Sequence, residues 1–222
     1  MAEHFAETRA HPWPEVVDFV ETHGAGGDDP APAVGRGDTA VGHSGAAVGL
    51  DLGCGNGRHA ELLAGATDRV VGVDASRALL VTARERAAER GYADSLTTVV
   101  GDAGALPLAS DRVALVVYVA TLHHLPTRAA RVASLSEVAR VLAPGGRALV
   151  SAWSTAHDRF DRTDGFDTEI DWTLPGGETV PRFYHVYDPD EFRADLRASD
   201  LAVVSTRVSS GNCYAVVAPA DE

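Results

Sequence analysis

Between Val48 and Arg58 the chain passes from an apolar run into alternating glycines: Val48-Gly49-Leu50-Asp51-Leu52-Gly53-Cys54-Gly55-Asn56-Gly57-Arg58. Few architectures accommodate that succession. An apolar run ending in Asp51 predicts a buried parallel strand, and the glycines after it predict a tight turn. Gly53, Gly55 and Gly57 carry no Cβ, so they accept positive φ and let a ligand lie against bare backbone. The helix expected to follow presents unpaired N–H groups at its start. Together these features suit a nucleotide-like ligand with an anionic or polar tail.

From Ala46 onward the pattern is strand–helix alternation. Strands are predicted at Val48–Leu52, Val70–Val73, Leu96–Val100, Val113–Val119 and Ala148–Ala152, with helices over roughly Arg58–Gly65, Ser76–Arg90, Thr127–Leu142 and Pro189–Ser199. Ser76 and Thr127 are expected N-caps, and Gly91 and Pro144-Gly145-Gly146 are expected stops. Short apolar strands separated by helices predict a doubly wound, mostly parallel α/β sheet. Ala202–Val208 and Tyr214–Ala218, joined by Ser209-Ser210-Gly211-Asn212, predict a closing antiparallel hairpin. Before this core, residues 1–23 predict a structured arm (Phe5 to Pro14) and a helix (Glu15 to Thr22). Residues 24–45 are rich in Gly, Pro, Asp and Ala and predict a flexible insertion; residues 46–222 form the expected catalytic core of a single domain.

Charge narrows the partners. Acidic residues outnumber basic ones 32 to 19, a net charge of −13, and every basic residue is arginine. An acid excess without lysine points to a proteome adapted to very high salt, as in a halophilic archaeon, although GC-rich coding also replaces lysine with arginine. Such acidity disfavours nucleic-acid binding at low ionic strength. In molar salt the Debye length falls to about 3 Å and the long-range repulsion is screened. Cys54 and Cys213 form neither a disulfide framework nor a metal site by spacing, and no His/Cys/Asp/Glu cluster has metal-ligand spacing. The N-terminus begins no signal peptide, and the longest apolar run, Val113 to Ala120, is far short of the ~20 residues that span a bilayer. A soluble, cytoplasmic protein is expected.

Asp74 ends the second strand, placed to accept hydrogen bonds from ribose hydroxyls. That fits a nicotinamide dinucleotide or S-adenosylmethionine. A dinucleotide fold wants a third glycine three residues after the second, where this chain has Arg58, so a pyrophosphate clamp is the poorer fit. Asp51 to Gly57, Asp74, Gly101-Asp102-Ala103 and Leu142-Ala143-Pro144-Gly145-Gly146 resemble, in order, the motifs of class I S-adenosylmethionine-dependent methyltransferases. The resemblance implies a Rossmann-like methyltransferase fold with a seven-stranded sheet. It implies a cofactor site at Asp51, Gly53, Gly55, Asn56, Gly57, Asp74, Ala75, Asp102 and Ala103, with Gly53 and Gly55 against the methionine part. Asp74 would then hold the ribose, and Asp102 and Ala103 would flank the adenine. Cys54 reads as a packed loop residue rather than a nucleophile.

Three further segments bear on the acceptor. The arm His4 to Pro14 (HFAETRAHPWP), Ala120-Thr121-Leu122-His123-His124-Leu125 and Arg182-Phe183-Tyr184-His185-Val186-Tyr187 with the later Gly211-Asn212 resemble the tRNA wobble-uridine carboxymethyl methyltransferase family. Cys213 departs from its pattern by standing between Asn212 and Tyr214. The resemblance implies methyl esterification of a carboxymethyl group on a wobble uridine, a step that needs alignment rather than a general base. Arg9, His123, His124, Arg182, Tyr184 and His185 are the expected acceptor-side residues, and Trp13 or Trp153 a surface for base stacking. A metabolite carboxylate is the alternative acceptor. Arg182 and His185 are expected in a loop, and Asp158–Asp171 in a solvated acidic loop. The resembled family works with a small zinc-binding activator. Leu96-Thr97-Thr98-Val99-Val100, an expected edge strand without charge, proline or glycine, is the place for it to add a strand and form a heterodimer.

Overall fold

The computed structural model describes residues 11–24, 47–173 and 179–220, and within these the glycine turn lies at the carboxyl end of the first strand of a seven-stranded sheet. The chain runs α1 (Pro14–His23), β1 (Val48–Leu52), α2 (Ala60–Ala66), β2 (Arg69–Asp74), α3 (Arg77–Arg90) and β3 (Leu96–Val100). It continues as β4 (Val113–Val119), α4 (Arg128–Val141), β5 (Leu142–Trp153), β6 (Phe166–Thr173), β7 (Thr179–Val186), α5 (Pro189–Arg197), β8 (Leu201–Ser209) and β9 (Asn212–Pro219). Strand order is β3-β2-β1-β4-β5-β9-β8, parallel from β3 to β5, with β9 antiparallel to both neighbours. The doubly wound sheet and its antiparallel closing hairpin match expectation. So do the caps: Ser76 accepts from the Leu79 amide, Thr127 accepts from the Ala130 amide, and Gly91 ends α3 in the left-handed region. Arg9 and the insertion expected at 24–45, Gly24 apart, lie outside the described residues.

Alternation along β4 shows how the sheet is covered on both faces. Val116 and Tyr118 enter one core with Leu135 and Val138 of α4 and with Phe192 and Leu196 of α5. Leu115, Val117 and Val119 enter the other, with Val16 and Phe19 of α1 and Leu63 of α2. Gly49 faces α2 so closely that a Cβ there would lie 3.2 Å from Leu63 Cβ and 2.9 Å from Thr67 Oγ1. The chain leaves β1 toward β2 and β3, then crosses to β4 on its other side. A crevice therefore opens beyond the carboxyl ends of β1 and β4, the usual ligand position in such sheets.

Two expectations change. β5 starts at Leu142, which pairs with Val113 before the register shifts at the Pro144-Gly145-Gly146 segment, so that segment lies within the strand rather than ahead of it. More consequentially, the segments expected to be loops form a separate two-stranded sheet, β6 with β7, paired from Phe166↔Val186 to Thr173↔Thr179. Its warrant was in the sequence. In Phe166-Asp167-Thr168-Glu169-Ile170-Asp171 the acids occupy every second position, and Asp167, Glu169 and Asp171 are exposed while Phe166, Thr168 and Ile170 are half-buried. The density of carboxylates hid a period of two.

Candidate active site

The turn after β1 is stitched to β2. The Gly53 and Cys54 amides donate to the Val73 carbonyl at 2.7 and 3.1 Å, and the Gly55 amide donates to Asp74 Oδ2 at 2.8 Å. Asp74 Oδ1 accepts from the Ser76 amide at 2.8 Å, so this carboxylate sets both the glycine turn and the start of α3. Gly53 has φ +72°, and a Cβ on it would collide with the Thr121 side chain. No other residue suits that position. Gly57 serves packing instead: its absent Cβ would lie 3.1 Å from Ala83 Cβ, and its carbonyl accepts from Tyr92 Oη at 3.1 Å.

A cavity of about 710 Å³ occupies the crevice. Gly53, Gly55, Asn56, Asp74, Ala75, Asp102 and Ala103 line it; Asp51 and Gly57 lie behind its wall. Asn56 Nδ2 and Asp51 Oδ2 are buried without a hydrogen-bond partner among the described residues. A bare-backbone cradle, a buried amide donor on Asn56 and two carboxylates on the lining, Asp74 and Asp102, fit S-adenosylmethionine. Burial pushes the Asp51 carboxyl up to about 7, against the opposing charge of Arg58. Cys54 is buried with its thiol pushed up by the same cause, which makes it inert.

The far end of the cavity is built by Thr121, His124 and Leu125 after β4 and by Val180, Pro181 and Arg182 of β7. Ala120, also lining it, takes φ 55°, a strained value for a residue with a Cβ, and its amide donates to Ser151 Oγ at 3.2 Å. Of the expected acceptor-side residues, His124 and Arg182 reach the cavity. His124 Nδ1 donates to the Phe183 carbonyl at 3.0 Å. Arg182 lies over the Tyr184 ring, 6.0 Å from its centroid. His123 is buried, and its Nδ1 accepts from the Trp153 amide at 3.1 Å. Tyr184 stacks on Trp153 with centroids 4.8 Å apart and planes 19° apart, behind the lining. His185 lies off the cavity between two carboxylates. Arg58 and His59 line the cavity without having been singled out, although their place directly after the glycines marked them; Arg58 packs over the Trp13 ring at 5.2 Å. Among the described residues no group of three or more His, Cys, Asp or Glu can hold a metal, and no helix is long and apolar enough to cross a membrane.

Comparison with known proteins agrees with this geometry. A family model described as a methyltransferase domain matches residues 50–146. A protein of Encephalitozoon cuniculi, named provisionally as a methyltransferase, is 32% identical over 174 residues, covering 76% of each chain. The tRNA (carboxymethyluridine(34)-5-O)-methyltransferase of Saccharomyces cerevisiae is 28% identical over 82% of this chain and 57% of its own length. The protein of that activity named ALKBH8 in Macaca fascicularis is 32% identical over 69% of this chain. This chain spans only 19% of the ALKBH8 length. Among solved structures, the CcbJ methyltransferase of Streptomyces caelestis superposes with a TM-score of 0.69 at 22% identity, covering 95% of this chain and 98% of that one. A chain from the complex of the Haloferax volcanii Trm112 methyltransferase activator with a provisionally assigned methyltransferase gives 0.58 at 18% identity, covering 79% and 83%.

Two predictions follow from the donor end. Asp74→Ala removes the acceptor of the Gly55 and Ser76 amides, so S-adenosylmethionine affinity measured by titration calorimetry should fall by about tenfold to a hundredfold, the cost of losing a charged hydrogen bond. Asp51 is held protonated to higher pH in the folded state than in the unfolded chain. The folded state therefore binds more protons between about 4 and 7, and this group lowers stability as pH rises through that window. The stability of Asp51→Asn relative to wild type should accordingly increase from pH 4 to pH 7 and level off above it, as read from urea midpoints of the cofactor-free protein.

Proposed function

The chain belongs to the class I S-adenosylmethionine-dependent methyltransferases, and from that premise we propose that it methyl-esterifies the carboxymethyl group of a wobble uridine in tRNA. The observation that carries this reading is the composition of the cavity's far end. A guanidinium, Arg182, and an imidazole, His124, are set there over an aromatic stack of Tyr184 and Trp153, with no carboxylate among the residues that build that end. Such a wall suits an anionic acceptor, with the stacked rings behind it supporting the Arg182 guanidinium.

The chemistry asks little else of the protein. S-adenosylmethionine bound there would supply a sulfonium methyl to a carboxylate oxygen, the new C–O bond replacing the C–S bond while the sulfur keeps the electron pair. A carboxylate is nucleophilic without losing a proton, so the side chains have to align it and exclude water rather than act as a base. Arg182 orients the carboxylate. His124, with Nδ1 committed to the Phe183 carbonyl, directs Nε2 from a fixed ring. Arg9 belongs to the same acceptor reading through the resemblance of its segment.

A partner completes the proposal. β3 is an edge of the sheet, with Thr97 exposed and Val100 49% exposed, and it bears none of the charges or prolines that protect edges. An activator subunit of the kind named in the Haloferax volcanii complex adds a strand there.

Arg182→Ala should lower kcat/KM for methyl transfer to tRNA by about tenfold to a hundredfold while S-adenosylmethionine binding stays unchanged, assayed at high salt with labelled cofactor and tRNA from cells lacking this protein. Alkali-labile methyl esters on the anticodon nucleoside support the reading; label entering only small metabolites replaces it with a metabolite carboxylate methyltransferase. Thr97→Lys should abolish co-elution with the activator, and a fully active, monodisperse monomer purified alone would remove the partner from the proposal.

A further inference from the structure

His185 lies on the wrong face of β7 to meet substrate beside Arg182. Side chains alternate along a strand, so Arg182 and Tyr184 share one side while Phe183 and His185 share the other. The ring is almost fully buried. Its Nδ1 is 2.6 Å from Asp167 Oδ1 on β6, and its Nε2 is 2.9 Å from Glu191 Oε1 in the first turn of α5. Carboxylates only accept, and both ring nitrogens can donate together only in the imidazolium.

The surrounding charges agree with that state. Glu191 lies 3.8 Å from Arg131 of α4, Arg131 lies 3.8 Å from Asp195 of α5, and Arg128 of α4 reaches Asp195 at 2.6 Å. Tyr187 donates to Asp195 Oδ2 at 3.1 Å and sets its ring edge-on to His185, centroids 4.5 Å apart. Glu191 and Asp195 share the guanidinium groups of Arg128 and Arg131, and Asp167 pairs with His185. The imidazolium makes the cluster three cations against three anions. A second feature fits the same purpose: at Gly165, just before β6, any Cβ would collide with Glu191 Oε2, so glycine is what admits the carboxylate to His185.

We infer that His185 is a positioning residue, an imidazolium clamp between Asp167 and Glu191 that ties the β6–β7 hairpin to α5 and so holds Arg182 at the acceptor end of the cavity. The hairpin shares no ladder with the main sheet, so its placement depends on such side-chain ties and on the backbone bonds around Tyr187. The inference rests on the acceptor reading proposed above for Arg182, but the clamp itself does not require tRNA as the acceptor.

The test compares wild type with His185→Gln and Gly165→Ala; the alanine displaces the flexible end of Glu191 without deleting a hydrogen-bonding group. Four quantities are read: cofactor Kd, acceptor KM, kcat, and amide protection of residues 166–173 and 179–186. In His185→Gln, acceptor KM should rise by about tenfold with kcat and cofactor Kd within about threefold of wild type, and hairpin protection should fall by a similar factor. Gly165→Ala should move both quantities the same way by a smaller factor. Unchanged hairpin protection and KM in both variants would overturn the clamp, as would cofactor affinity falling in step with KM. Should His185→Gln fail to fold, Gly165→Ala decides by the same readings. Should tRNA accept no methyl at all, the functional reading fails by itself, and loss of hairpin protection in the variants still decides the clamp.

Discussion

The hydrogen bond from the Gly55 amide to Asp74 Oδ2 joins the turn after β1 to the end of β2, and the cofactor end of the cavity depends on that join. A glycine turn left to itself samples many conformations, since glycine loses more backbone freedom on ordering than any other residue. Here its amides are taken up in sequence: Gly53 and Cys54 by the Val73 carbonyl, then Gly55 by Asp74. Asp74 spends its second oxygen on Ser76, the N-cap of α3. One side chain at a strand end thus registers a turn, a helix start and a wall of the cavity, which explains why the donor site is compact in sequence.

Behind that wall the packing leaves little slack. The Cys54 side chain sits where a Cβ on Gly72 would come within 3.1 Å of its sulfur, and Gly57 brings the turn against Ala83 of α3. Enlarging either glycine pushes on the turn from below. The central strands supply rigidity, with β4 buried on both faces and β1 buried along most of its length. A buried carboxyl at Asp51, unpaired at Oδ2, is tolerated in this setting. Burial that costs stability at a ligand-facing turn is a familiar exchange between fold and function.

The donor half was legible because its signals are local. Glycine spacing, an acid at a strand end and helix caps each occupy a few adjacent residues, and the physics that reads them acts over the same span. The acceptor half was harder for a matching reason. In β6 the alternation of Phe166, Thr168 and Ile170 was masked by Asp167, Glu169 and Asp171, and the hairpin's cross-strand partners lie farther along the chain. A histidine in Arg182-Phe183-Tyr184-His185 looks like a substrate ligand until strand geometry turns it away from Arg182. Only the placement of Glu191 and Asp167 shows what it meets instead, and no spacing rule brings residues 167, 185 and 191 together. His123 repeats the point on a smaller scale: next to a cavity-lining histidine, it holds the Trp153 amide.

Donor and acceptor walls are therefore held by different kinds of interaction. The donor wall is backbone bonded to sheet, where a change of side chain does little unless it adds a Cβ to a cradle glycine or removes Asp74. The acceptor wall is a two-stranded sheet fastened by side chains: His124 to the Phe183 carbonyl, Tyr184 stacked on Trp153, and His185 between its carboxylates. Side-chain fastenings can be exchanged one at a time without disturbing the main sheet. For transfer to a carboxylate this division has a physical logic. On the reading proposed above, the nucleophile would need no proton removed, so selectivity would come from where the anion is held and from the hairpin's orientation rather than from a catalytic base. A family sharing one donor fold can reach different acceptors through the element least constrained by it.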